Sequence, residues 1–202
     1  SPWDASAPSC GYGTGTNDAT DSNGDYNEYY KQQLTEILGN NKYGNNGKFV
    51  EVWMDGAKGT GAAAQKYKFD EWFQLIEQLE PGAVVFSPYG STVRWIGNES
   101  GKAGDPAWSK VNKQRIIDRY NSGQGEQAQY LNNGDPLGDI WSVGECDVSL
   151  TSGWFWHAGN DPKSMEQLTD IYFSSIGRGQ PLLLNVAPDN TGHFTATDIA
   201  RI

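Results

Sequence analysis

The stretch Phe49-Val-Glu-Val-Trp-Met-Asp-Gly-Ala57 alternates between aliphatic residues and polar or aromatic residues, as a β-strand does. The aliphatic face carries Val50, Val52 and Met54. The opposite face carries Glu51, Trp53 and Asp55. Such a strand is typical of a barrel whose helices pack on the outside, and Asp55 would take its last inward position before Gly56. Barrel enzymes place catalytic side chains at this carboxyl end, so Asp55 is the first candidate for chemistry.

Helical and strand patterns alternate along the rest of the chain. Apolar residues at helical spacing predict helices over 26–38, 69–79 and 165–176, with shorter ones around 109–120 and from Thr195 to Ile202. Apolar runs predict strands over 83–86 and 181–186 that are buried on both faces, and extended segments over 92–97 and 144–149. We expect Asp161-Pro162 to cap the third long helix, and 98–138 to be mostly a long loop. The order predicts an α/β fold of about four parallel βα units, half of a (β/α)8 barrel of the TIM type.

The composition limits the classes of partner. The 25 acidic and 15 basic residues give a net charge of −10, which disfavours nucleic acid and anionic membrane surfaces. No apolar run reaches the 18 residues or more that a membrane span needs. Aromatic residues make up 12% of the chain, which is compatible with a carbohydrate-binding cleft, although any single ring is more often part of the core or of the ordinary surface.

The cysteines and histidines do not indicate a metal site. Cys10 and Cys146 form either one disulfide or two free thiols, and their spacing is not that of metal ligands. His157 and His193 lack a third ligand at metal spacing. We therefore expect neither a metal ion nor another cofactor.

Several blocks of sequence, in order along nearly the whole chain, resemble the α-L-fucosidases of glycoside hydrolase family 29. The early blocks are Ser1-Pro-Trp-Asp4, Tyr26-Asn-Glu-Tyr-Tyr30, Phe49 to Ala57, and Pro81-Gly-Ala-Val-Val-Phe-Ser87. The later blocks are Val93-Arg-Trp-Ile-Gly-Asn-Glu-Ser-Gly101, Glu145-Cys-Asp-Val-Ser149, Gly153-Trp-Phe-Trp-His157, Ser175-Ile-Gly-Arg178, Leu182-Leu-Leu-Asn-Val186 and Pro188-Asp189. The pattern looks most similar to the subgroup that acts on 1,3- and 1,4-linked fucose.

The resemblance implies the C-terminal half of the catalytic barrel, strands five to eight, over residues 1–202. It implies exo-acting hydrolysis of terminal α-L-fucose with retained configuration. By motif position, Asp55 resembles the nucleophile and Glu99 the general acid/base. Trp53, Arg94 and Trp154 match positions that line the fucose pocket, and Trp3 is expected to border it. The implied partners are a fucosylated oligosaccharide or glycoprotein glycan and the missing N-terminal half of the barrel, and we expect a secreted or extracytoplasmic protein.

Alternatives remain at each of these positions. Glu145 and Asp147 are rival acids near another strand end, whereas Glu51 is expected to be a buried structural carboxylate. Asn98-Glu99-Ser100 matches the N-glycosylation pattern, but a glycan would obstruct the cleft, so we expect Asn98 to be unmodified. A non-catalytic fucose-binding module and a different barrel glycosidase are the competing functions. The family's fucose-binding histidines lie in its N-terminal half and have no counterpart here, so we expect the 202-residue chain alone to be inactive.

Overall fold

The computed structural model describes residues 26–55, 67–87, 89, 91–122 and 126–202. The chain divides into two compact units, Ser1–Ser87 and Pro88–Ile202. Each unit has its own parallel strands.

The described part of the first unit is built from two strands and two helices. Along the chain these are α1 (Tyr26–Leu38), β1 (Glu51–Trp53), α2 (Phe69–Leu79) and β2 (Val84–Phe86). β1 and β2 pair in parallel, from Glu51 opposite Val84 to Trp53 opposite Phe86. Two parallel neighbours need a crossover connection, and α2 lies in that connection.

The helices of this unit pack through a buried aromatic stripe on α2. Its buried residues Phe69, Trp72 and Ile76 recur at helical spacing, and Leu34 and Leu38 are buried on α1. Asn27 links the two helices, because its side chain accepts a hydrogen bond from the Lys68 amide (2.9 Å) and its carbonyl accepts one from the Trp72 indole (3.3 Å). The period of apolar residues therefore predicted both helices correctly.

The second unit is organised around three parallel strands. These are β3 (Val93–Trp95), β6 (Val143–Ser149) and β7 (Leu182–Asn185), in the order β3-β6-β7. The connection from β3 to β6 contains β4 (Lys110–Val111), α3 (Lys113–Asn121), α4 (Ala128–Asn133) and β5 (Ile140–Trp141), and β4 pairs antiparallel with β5. α5 (Met165–Ser174) and a 3-10 turn (Ile176–Arg178) connect β6 to β7, and α6 (Ala196–Arg201) follows.

The two faces of β6 differ in chemistry. Cys146 is buried in an apolar cluster with Ile96 and Ala103, against which Leu182 packs. Because side chains alternate along a strand, Glu145, Asp147 and Ser149 point to the other face. Trp95 lies beside Glu145 in the parallel register. One face of this sheet therefore belongs to the core, while the other carries polar and aromatic groups.

Several local expectations were wrong, although the parallel β/α order is confirmed within each unit. α5 is capped by Ser164, whose hydroxyl accepts from the Gln167 amide in a capping box, and not by Asp161-Pro162. The segment 98–138 carries two helices and a strand. Val84 and Glu51 are exposed, although both were expected to be buried. None of the described helices has the length and apolar character needed to cross a membrane.

Candidate active site

Asp55 lies two residues beyond the carboxyl end of β1, and its side chain is exposed. The same face of this strand carries Trp53, whose indole stacks on Phe86 with ring centroids 4.3 Å apart and an angle of 9° between the planes. Trp53 is still 41% exposed. On the predicted aliphatic face Met54 is buried and Val52 is half-buried, whereas Val50 is 85% exposed, so this face is covered only towards its carboxyl end. A carboxylate thus stands directly after an aromatic surface at the end of a parallel strand.

Glu99 lies four residues beyond the carboxyl end of β3, also with an exposed side chain. Its loop is fixed by short-range bonds, in which the Asn98 side-chain oxygen accepts from the Ser100 amide (3.0 Å) and hydroxyl (2.5 Å). The Asn98 amide nitrogen donates to the Lys102 carbonyl (3.1 Å). The Gly101 amide then donates to the Asp147 carbonyl of β6 (3.1 Å). This loop therefore holds Glu99 in a defined place above the sheet.

A chain of hydrogen bonds connects Glu99 to the ends of the two neighbouring strands. The Trp154 indole N–H donates to Glu99 Oε2 at 3.2 Å. The Asn185 side-chain nitrogen, at the end of β7, donates to the Trp154 carbonyl (3.0 Å) and to Ser149 Oγ at the end of β6 (3.1 Å). The structure therefore brings two of the predicted site residues, Glu99 and Trp154, into direct contact.

Arg94 lies within the fold of the second unit, with only 2% of its surface exposed. Its guanidinium donates to the carbonyls of Leu131 (2.8 Å), Trp108 (2.9 Å) and Ser142. Burial lowers the pKa of Arg94 to about 10, so the side chain is still charged at neutral pH. The expected contact with substrate stays a prediction, and this placement disfavours it.

The rival acids Glu145 and Asp147 lie inside β6 and are buried, at 7% and 6% exposure. Glu99, in contrast, lies in a loop beyond its strand and is exposed. An acid that protonates a leaving group must reach the substrate at the rim of the sheet. The geometry favours Glu99 for that role, with Glu145 and Asp147 as part of the polar face beneath it.

Two polar residues of this network, Ser149 and Asn185, were not among the predicted site residues. The signal for Asn185 was present in Leu182-Leu-Leu-Asn185, where a polar side chain ends an apolar strand. Trp3 lies outside the described residues.

Cys146 is a buried free thiol whose pKa is raised to about 12, mainly by burial. Its possible partner Cys10 lies outside the described residues. Among the His, Cys, Asp and Glu residues that the structure describes, no group of three is arranged to hold a metal ion.

Known proteins resemble this chain over nearly all of its length. It is 47% identical over 176 residues to "Alpha-L-fucosidase 1" of Arabidopsis thaliana, a match that covers 87% of the chain and 33% of the relative. It is 41% identical over 199 residues to "Putative alpha-L-fucosidase 1" of Oryza sativa subsp. japonica, with 98% and 34% covered. The chain thus spans about a third of these relatives.

The fold gives the same result. A mutant of a Ruminococcus gnavus GH29 fucosidase in complex with fucose matches with a TM-score of 0.79 and 44% identity, over 99% of this chain and 41% of the other. This likeness confirms the predicted partial barrel. No protein-family model matches the chain.

Proposed function

Because the chain belongs to the α-L-fucosidases of glycoside hydrolase family 29, we propose that the protein carrying it hydrolyses terminal α-L-fucose from glycans with retention of configuration. The observation that carries this proposal is the likeness to α-L-fucosidases over 87–99% of the chain. Its two motif carboxylates, Asp55 and Glu99, each follow a parallel strand at the carboxyl end.

The proposed chemistry proceeds in two displacements. Asp55 attacks the anomeric carbon while Glu99 gives its proton to the glycosidic oxygen, so the C–O bond breaks and a fucosyl–Asp55 ester forms. Glu99, now ionised, then takes a proton from water as the water attacks the anomeric carbon and releases Asp55. Retaining enzymes hold the two carboxyl groups about 5–5.5 Å apart. Trp53 supplies an apolar surface on which the sugar can stack.

The finer features of the substrate belong to the same proposal. The Trp-Met-Asp-Gly-Ala and Arg-Trp-Ile-Gly-Asn-Glu forms of the motifs favour 1,3- and 1,4-linked fucose on branched glycans. Such glycans are displayed outside the cytoplasm, which favours an extracytoplasmic site of action. Comparing fucose release from 1,2-, 1,3- and 1,4-linked oligosaccharides tests this preference, and faster release from the 1,2-linked substrate would contradict it.

The catalytic assignment is tested with azide, using the full reading frame that encodes this chain. In Asp55→Ala, azide should replace the missing nucleophile in one displacement and give a fucosyl azide of inverted configuration. In Glu99→Ala, azide should attack the fucosyl–Asp55 ester and give a fucosyl azide of retained configuration. Glu145→Gln and Asp147→Asn are the matched controls, and neither should yield a fucosyl azide.

The competing function is a fucose-binding module without turnover. It predicts that the parent protein, the product of the full reading frame, binds fucose but releases no 4-nitrophenol from 4-nitrophenyl α-L-fucoside. Hydrolysis by the parent that is lost in Asp55→Ala excludes this alternative. Full activity in Asp55→Ala would instead disprove the nucleophile assignment.

A further inference from the structure

The Trp154 indole contacts only one of the two oxygens of Glu99. An indole N–H can donate and cannot accept, so it has a single role in the 3.2 Å bond to Oε2. Among the described residues, no hydrogen bond to Glu99 Oε1 is recorded. Within the described part of the chain, the bond therefore distinguishes the two carboxyl oxygens, because Oε2 accepts a hydrogen bond and Oε1 accepts none.

The indole is itself held in place from the sheet. Asn185 donates to the Trp154 carbonyl, and the Asn185 carbonyl accepts from the Leu150 amide at 2.8 Å. The same Asn185 side chain reaches Ser149 Oγ. Trp154 thus connects a loop after β3 to the carboxyl ends of β6 and β7, although 55 residues separate it from Glu99.

We propose that Trp154 is a positioning residue for the acid/base step, holding Glu99 Oε2 so that Oε1 exchanges the proton with the glycosidic oxygen and then with water. This inference rests on the proposed function. The indole proton stays on Trp154 in both displacements, because only the Oε1 proton moves. A role of this kind differs from that of a pocket wall, since it acts on proton transfer and not on fucose binding.

Leaving groups of different basicity separate these two roles. Methyl or sugar leaving groups need a proton, whereas fluoride departs from fucosyl fluoride with little help. In Trp154→Phe, we expect kcat/KM to fall by roughly 10–100-fold for methyl fucoside and by less than about 3-fold for fucosyl fluoride. The larger loss is part of the roughly 10²–10⁴-fold acceleration that general acid catalysis contributes. Equal losses on both substrates, or no loss on either, would overturn the proposal.

Coupling to Glu99 gives a second and independent measurement. If the indole acts through the carboxyl group, Trp154→Phe should cause no further loss of kcat/KM on methyl fucoside in a protein that already carries Glu99→Ala. Losses that multiply in the double variant would show that Trp154 acts independently of Glu99 and would overturn the proposal. Trp154→His keeps a ring N–H and should recover part of the rate that Trp154→Phe loses.

If Trp154→Phe does not fold, Asn185→Ala tests the same proposal, because it removes the hydrogen bond to the Trp154 carbonyl and keeps the indole. In Asn185→Ala, as in Trp154→Phe, we expect kcat/KM to fall more for methyl fucoside than for fucosyl fluoride. The fall for methyl fucoside should be smaller than in Trp154→Phe. If the parent protein hydrolyses neither substrate, the proposed function fails and this inference fails with it. If Glu99→Ala is selective for the leaving group and neither Trp154→Phe nor Asn185→Ala is, this inference alone fails.

Discussion

At the residue scale, Arg94 shows how a side chain with an expected contact to substrate can instead hold the fold together. Its guanidinium donates to three main-chain carbonyls whose residues lie 14, 37 and 48 positions away in sequence. Those carbonyls belong to Trp108 before β4, Leu131 in α4 and Ser142 just after β5, which no local pattern connects to β3. The sequence motif could predict Arg94 as a site residue, but only the tertiary structure could show which groups its guanidinium contacts.

Replacing Arg94 should therefore destabilise the protein. In Arg94→Met the three carbonyls lose their donor, and each buried polar group left unsatisfied costs about 1–3 kcal/mol. Arg94→Lys should recover little, because an ammonium group cannot reproduce the planar fork of donors. The midpoint of urea unfolding measures the loss. A variant with normal stability and a raised KM for fucosides would show that Arg94 binds substrate after all.

Cys146 gives a prediction about pH. Burial raises the pKa of its thiol to about 12 in the folded state from 9.0, so between these values the unfolded state releases a proton that the folded state keeps. Stability that is fully present below pH 9 should therefore decline as the pH rises towards 12. Urea unfolding of the parent and of Cys146→Ala at pH 8 and pH 10 isolates the contribution of the Cys146 thiol to the free energy of unfolding. A parent whose stability declines no more than that of the variant would contradict it.

At the element scale, regular helices were predictable and irregular connections were not. The apolar stripe of α2 recurs every three to four residues, and that period alone predicts it. β4 and β5 are two residues long, too short to show alternation. The cap of α5 was missed although Ser164 and Gln167 have the spacing of a capping box, because Asp161-Pro162 gave a competing start signal.

The loop that carries Glu99 depends on close packing at Gly101. This residue has a φ of 71°, and a Cβ there would lie 2.8 Å from Val148 Cγ1 and 2.9 Å from Ile171 Cγ2. Gly101→Ala should combine a left-handed penalty with overpacking, about 2–5 kcal/mol in all. It should also lower fucoside hydrolysis, because the loop must move away from β6.

Gly192→Ala is the matched control for this prediction. Gly192 has a φ of 82° and no atom within 4 Å of its would-be Cβ, so it should cost only about 1–2 kcal/mol. Denaturant unfolding and fucoside hydrolysis of the two variants are compared side by side. Equal effects would show that packing against Val148 and Ile171 does not fix the loop.

At the scale of the whole molecule, residues 1–202 form only part of a barrel. Among the described strands, β7 pairs with β6 alone. The second unit also exposes large apolar side chains, such as Phe173 (65%), Ile199 (63%) and Ile202 (70%). An unpaired strand edge and exposed apolar surface both favour association. The relatives are about three times as long as the matched region, so they contain further segments that this chain does not.

We therefore expect residues 1–202, expressed alone, to associate and to lack fucosidase activity. Light scattering at increasing protein concentration should show particles larger than a monomer of 22.2 kDa, in spite of the net charge of −10. The full reading frame should be active, and Asp55→Ala in that frame provides the inactive reference. Because both proposed catalytic carboxylates lie within residues 1–202, inactivity of this part would assign the missing contribution to fucose binding or to the closure of the barrel. A monomer that hydrolyses fucosides as fast as the full reading frame would contradict the prediction and would place the whole active site in these residues.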